Sequence, residues 1–395
     1  MKLHTVAAAV LALASLTAAS LPAHAQTAAP AAAAAAAVDH KAVAAHYAAL
    51  VHANYADTLA AAKDLQAAIA EFTKAPSADG LTKARKAWLH AREFYGQTEA
   101  FRFYGGPIDD DKGPEGQINA WPLDEAYVDY VTGKPNAGMV NNAKFKITKA
   151  ALAKANERGG EENISAGWHA IEFLLWGQDQ SETGPGNRSF EDYVVGKGAN
   201  AERRAQYLTV ATELLIDDLT TVTKAWEPNA KNYRAKFEKG GKESVRKIIV
   251  GLGSLSRGEL SGERMEVALN SQDQEDEHSC FSDNTHRDVV TNAKGIQNVW
   301  TGEYTRRDGS VLKGPGVRDL VAAKNPALAE KTTAQIADSV KGAEAIPAPF
   351  DRAIVKGSAG RPAIEKTIAS LVSQSKLLVE SASAVGIAKL TLVEP

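Results

Sequence analysis

An all-α protein is the fold class this sequence predicts, and three observations predict it. The 395 residues are 44% hydrophobic but only 7% aromatic, with a composition rich in the helix formers Ala, Leu, Lys and Glu. Long β-branched runs are scarce. Apolar residues recur at spacings of three and four through most of the chain, the period of an amphipathic helix. A chain of this length has room for two ordinary domains or one large one. The formal net charge of −3, from 45 basic and 48 acidic residues, and the lack of a basic cluster argue against a nucleic-acid partner.

Residues 1–25 read as a signal peptide. Lys2 supplies a positive start, Val6 to Leu21 an apolar stretch with small residues, and Ala23-His24-Ala25 a cleavage site. The mature chain is expected to begin near Gln26 in the periplasm, with peripheral association to the outer membrane as a further option. No Cys follows the site to carry a lipid, and no later apolar run approaches the ~18 residues of a membrane span. Cys280 is the single cysteine, so an internal disulfide is excluded. Residues 26–38 form an Ala-rich linker.

From Asp39 the pattern becomes helical. Val43, Tyr47, Val51, Leu65, Ile69 and Phe72 form one apolar stripe that stops near Pro76-Ser-Ala-Asp-Gly80. A second helix is predicted from Leu81 to Phe103, with Trp88, Arg92, Tyr95, Glu99 and Arg102 on one face. Gly105 to Gly116 is a loop, and Trp121-Pro-Leu-Asp124 caps a short helix to Val131. A helix over residues 143–155 leads to the apolar helix around His169, and residues 177–198 are a long connection. Leu208, Leu215, Leu219, Val222 and Trp226 mark another helix, ended by Pro228.

Further helices are predicted at residues 243–269, 285–300, 328–341 and from Pro362, which suits a first helical position. The acidic segment Gln272 to Asn284 is expected as a loop, with Asp273–Glu277 solvated. An aromatic shortly before an acid that precedes a helix occurs at Trp121–Asp124 and again at Phe281–Asp283, which suggests duplication. The expected organisation is an N-terminal bundle, 39–227, and a C-terminal bundle, 228–395.

The chemistry concentrates in Ile164–Gly177. His169 and Glu172 stand three apart within an apolar run of about 12 residues, so both project from the same helix face. Trp176 continues that stripe. A buried carboxylate without a partner is costly, so the pair either satisfies itself as a core His hydrogen-bonded to its neighbour or binds a single ion or polar ligand, and the ion site is the expectation. Protease signatures are incomplete: both H-E-x-x-H and H-x-x-E-H require a second His four residues on, where Phe173 stands. The acidic runs match no EF-hand loop.

Four blocks, Tyr95–Asp109, Asn119–Tyr127, Gly167–Glu172 with Leu174–Gly177, and Asp283–Thr285, together resemble the imelysin family. The resemblance spans about residues 40–390. It implies an exported bacterial protein of two helical-bundle halves, concerned with iron uptake or iron-responsive physiology, in a family once grouped with metallopeptidases. The family's G-x-H-x-x-E motif falls on Gly167, His169 and Glu172, and Arg92, Glu99 and Asp283 lie in the other shared blocks.

The resulting expectation is a site at the junction of the halves in which His169, Glu172, Glu99 and Asp283 bind a metal. Arg92, Arg102, Trp176, Gly167 and Asp124 would surround or orient it. Iron is the expected ion, with zinc as the alternative, and a membrane uptake component the expected partner. The competing readings are a metallopeptidase built on the same pair, or a module that binds haem, a siderophore or a receptor.

Overall fold

A computed structural model describes residues 38–181 and 183–393, so the signal-peptide reading and nearly all of the 26–38 linker lie outside the described residues. The expected all-α class holds. The first helix, α1 (His40–Lys74), starts where the Asp39 carboxylate accepts from Ala42 N–H, a side-chain cap for an otherwise orphaned donor. Ser77 does the same for α2 (Ala78–Thr98). The predicted continuation of α2 to Phe103 is instead one 3₁₀ turn, Glu99–Phe101.

Short helices follow: α3 (Glu115–Ile118), α4 (Glu125–Val128), α5 (Gly138–Asn141) and α6 (Lys149–Ala155). The apolar helix is α7 (Gly167–Trp176), with every residue buried. Next come α8 (Ala201–Ala225), α9 (Tyr233–Phe237) and α10 (Lys242–Ser254). A π-helical stretch, Leu255–Glu266, runs on from α10 without a break into α11 (Val267–Ser271). After α12 (Thr285–Thr301) the chain makes a hairpin of two three-residue strands, β1 (Glu303–Thr305) and β2 (Val311–Lys313), antiparallel with Tyr304 opposite Leu312. Then α13 (Val317–Ala322), α14 (Pro326–Glu344), α15 (Phe350–Ile354) and α16 (Arg361–Ala384) complete the fold.

Helix α1 packs against α2, α8, α9 and α10, so the expected boundary at 227/228 falls between two helices that share α1 as a neighbour. From Val38 onward the chain packs as one compact unit. Among the described residues no helix is long and apolar enough to cross a membrane.

Two glycines decide how the elements around α7 approach. Gly96 on α2 faces α12 so closely that a Cβ there would lie 2.0 Å from Thr291 Oγ1. Gly167 begins α7 at φ +79°, and its Cβ would lie 2.3 Å from the Ile118 carbonyl oxygen. Both the left-handed backbone and the close contact exclude a side chain at 167. Gly167→Ala is expected to cost about 3 kcal/mol of stability, from backbone strain plus displacement of α3. Urea unfolding followed by circular dichroism measures it, and a wild-type midpoint would contradict the argument.

Candidate functional site

Helix α7 presents His169 and Glu172 to the interior, where His169 Nδ1 meets Glu172 Oε2 at 2.8 Å. The other carboxylate oxygen accepts from both the Ser282 amide, 2.9 Å, and the Ser282 hydroxyl, 2.6 Å. Ser282 lies in the segment between α11 and α12, which was expected to be solvated at Asp273–Glu277. Asp273 and Glu275 are indeed exposed, but Glu277 to Ser282 are buried. The correction has a physical cause: this half of the segment carries Cys280 and Phe281, and Phe281 packs on Phe173 of α7 with ring centroids 5.1 Å apart.

The same segment supplies a second imidazole. The His278 ring lies 4.7 Å from that of His169, centroid to centroid. Its Nδ1 is 3.0 Å from Asp288 Oδ2 on α12, and its Nε2 is 3.3 Å from the Asn119 amide nitrogen. The two histidines are thus built alike, each with Nδ1 on a buried carboxylate. His169 Nε2, in contrast to that of His278, is buried without any hydrogen-bond partner. Burial and the nearby Arg92 hold the His169 pKa well below its ordinary value, and burial with Arg264 does so for His278. Both rings are neutral at physiological pH. Burial also raises Glu172, to about 8.

Charged residues of α2 and the π-helix frame this centre. Arg92 donates through Nε and Nη2 to Asp288 Oδ1 and through Nη1 to Asn119 Oδ1 at 2.7 Å. Its guanidinium lies over the rings of Trp88, Tyr95 and Trp168. Burial opposes ionisation of Asp288, but Arg92 and His278 outweigh it and keep the carboxyl well below its ordinary range. Glu99 receives Arg102 Nη1 at 2.6 Å and Arg264 Nη2 at 2.8 Å. Those two cations overcome burial and bring Glu99 down to about 2. Arg264, fully buried, comes from the π-helical stretch and also contacts Glu259.

The sequence-derived residues therefore occupy different places. His169, Glu172 and Arg92 belong to one buried polar centre, and Glu99 reaches it through Asn119, whose amide nitrogen is 3.4 Å from Glu99 Oε1. Arg102 also pairs with Glu115. Trp176 packs edge-on against Trp88, with Arg85 over its ring. Asp283, half-buried at φ +55°, follows Ser282, and Asp179 and Asp351 act on its carboxyl more strongly than Glu172 does. Asp124 is exposed and caps α4 through Ala126 N–H, so its contacts are those of a helix cap. Among the described residues no three His, Cys, Asp or Glu side chains are gathered closely enough to hold a metal ion. Residues that sequence reasoning did not single out are His278, Asp288, Asn119, Ser282 and Arg264.

Known proteins place this architecture. Two solved structures share the fold: a protein described as an iron-regulated protein A precursor, from Parabacteroides distasonis, with a TM-score of 0.69 at 18% identity over 88% of this chain and 95% of that one, and an imelysin-like protein from Psychrobacter arcticum, 0.65 at 17% identity over 88% and 96%. In sequence, the iron-regulated protein A of Synechococcus elongatus is 26% identical over 300 residues, 75% of this chain and 73% of the relative. A model of the imelysin family matches residues 51–378, and the chain belongs to that family.

Proposed function

We propose that this protein is exported to the periplasm and binds iron, presented by an iron-carrying ligand, at the buried centre around His169 and Glu172, for delivery to a membrane uptake component. The observation that carries the reading is the orphaned Nε2 of His169, buried beside a second neutral imidazole. Histidines that bind metals typically give their other ring nitrogen to a carboxylate, which fixes the tautomer and aims the ring. Glu172 does this for His169 once its carboxyl is ionised, and Asp288 does it for His278. The ion-binding atoms are then the two Nε2 nitrogens, with Asn119 releasing that of His278. Glu172 and Asp288 act as orienting groups rather than donors.

The donor set fits iron in part. Two imidazoles suit it, but iron takes about six donors, and the carboxylates of Glu99 and Asp288 are already held by arginines. A chelated ion brings the missing oxygens itself, which favours an iron-carrying ligand over a bare ion. Zinc, the alternative ion, needs about four. A zinc peptidase is disfavoured, since Phe173 stands where both protease signatures need a histidine.

The test is the metal content and affinity for Fe(II), Fe(III), ferric citrate and Zn(II) of the untagged protein and of His169→Ala and His278→Ala. Each variant is expected to lower iron affinity at least about tenfold while keeping wild-type helicity. Wild-type binding by both would sink the reading.

A further inference from the structure

Arg188 is buried, yet its Nε has no hydrogen-bond partner. The rest of the side chain is fixed. Nη1 donates to Asp129 Oδ2 at 2.9 Å and to Asp192 Oδ2 at 3.1 Å, and the guanidinium lies over the rings of Tyr130 and Phe173, 5.1 and 5.3 Å from their centroids. The backbone is tied as well, since Arg188 N–H donates to the Trp176 carbonyl and the Arg188 carbonyl accepts from Arg85 Nη2. Among the described residues every hydrogen bond of this guanidinium leaves from Nη1. The Nε edge, which pairs with a carboxylate through two parallel hydrogen bonds, is unused.

Gly177 leaves that edge open. At φ +74° it has no side chain to place there, and the three atoms nearest the point where its Cβ would stand all belong to Arg188, with Nε at 3.5 Å. Gly177, Tyr130 and Arg188 line one cavity of about 370 Å³, near the lower end of small-molecule sites. Exposed Thr132, Gln180 and Asn187 add neutral donors and acceptors to its wall. Charge favours a single anion. Arg204 shares Asp129 with Arg188, and Arg85, among the described residues, donates only to the carbonyl oxygens of Leu175 and Arg188, so three arginines meet two aspartates. Asp179 lines the same cavity and opposes a second negative charge.

We propose that this cavity binds a small hydroxylated monocarboxylate, of the sugar-acid class, whose carboxylate takes the Nε edge of Arg188. The site is separate from the imidazole centre and does not depend on iron binding. A carboxylate there supplies the acceptor that a buried guanidinium N–H otherwise lacks. The fixed plane of Arg188 selects a ligand group that pairs in that plane, and the uncharged side chains around it match hydroxyl groups rather than an alkyl chain.

Calorimetric titration of the full chain with glucuronate and gluconate, against glucose and inorganic phosphate, is the experiment. Each acid is expected to bind once per chain with a Kd below about 1 mM. Glucose lacks the carboxylate and phosphate is doubly charged near neutral pH, so both should bind at least about tenfold more weakly. Arg188→Lys keeps a cation beside Asp129 but removes the planar edge, and should weaken glucuronate at least about tenfold. Position 188 is buried, so Asn187→Asp is the second variant. It is exposed, should melt like wild type, and should weaken glucuronate at least about threefold by setting a like charge at the cavity. Absence of binding by both acids at about 10 mM overturns the proposal, as does wild-type affinity for glucuronate in Asn187→Asp. Phosphate binding as tight as that of glucuronate overturns the assignment to a monocarboxylate.

Discussion

Arg92→Ala is expected to destabilise the protein by about 3–5 kcal/mol, the range for removing one partner of a buried ion pair. The guanidinium satisfies three acceptor contacts on Asp288 and Asn119 and lies over three aromatic rings. Truncation leaves Asp288, 1% exposed, facing only His278, Ser279 and Asn284. It also opens a large cavity beside Trp88 and Trp168, which adds a packing loss. A second signature separates the ion pair from packing alone. Because its pKa is depressed in the folded state, Asp288 stabilises the protein above its ordinary 3.8, and that contribution disappears as pH falls below this value. Urea midpoints of wild type should therefore drop steeply below about pH 4, while those of Arg92→Ala start lower and fall less. The compensating double variant Arg92→Met/Asp288→Leu should recover part of the loss, since hydrophobic replacement of a buried pair is often neutral. A loss under about 1 kcal/mol for Arg92→Ala would show that the pair is not what holds α2 to α12.

Much of this fold could be read from the chain because helix periodicity is local. The stripe Val43 to Phe72 gives α1, and the caps at Asp39 and Ser77 fall where the apolar pattern begins. His169 and Glu172 stood out because two ionisable groups in an apolar helix contradict their surroundings. His278 and Asp288 did not, since His278 ends an acidic run and Asp288 stands beside His286 and Arg287 in an ordinary amphipathic helix, and only tertiary contact with α2 and α7 buries them. Cys280-Phe281, an apolar pair inside an acidic segment, was the one signal that residues 277–282 turn inward. Arg264 was hidden for another reason. The π-helical winding of Leu255–Glu266 changes which residues share a face, so a period of 3.6 misplaces it. The strands β1 and β2 are three residues each, too short for alternation to register, although Arg307-Asp308-Gly309-Ser310 is ordinary turn chemistry.

Glu172→Gln is expected to abolish most binding at the imidazole centre without costing stability, and the reason lies in which ring nitrogen of His169 carries the proton. Burial raises Glu172 to about 8 and keeps His169 neutral. Below that pH the protonated carboxyl donates to Nδ1, which leaves the ring proton on Nε2. Metal binding needs the Nε2 lone pair, so Glu172 must lose its proton and accept from Nδ1–H instead. One proton is released from the pair for each ion bound, and affinity should rise about tenfold per pH unit up to about pH 8, then level off. In Glu172→Gln the Ser282 amide and hydroxyl, both donors to Oε1 in wild type, hold the amide oxygen on their side. The Gln NH₂ then faces Nδ1 and donates to it, which locks the proton on Nε2 at every pH. The variant should bind iron at least tenfold more weakly at pH 8 and lose the rise between pH 6 and 8. Stability moves the opposite way. The folded wild type keeps the Glu172 proton between its ordinary 4.5 and about 8 while the unfolded chain releases it, so the wild type loses stability as pH rises through that window. Glu172→Gln lacks this slope and should match or exceed wild type in urea at pH 8. Calorimetric titrations at pH 6, 7 and 8, paired with urea unfolding at the same values, check both halves. Wild-type affinity in the variant would remove Glu172 from the role of orienting His169, and an unchanged pH slope would show that the titrating group lies elsewhere.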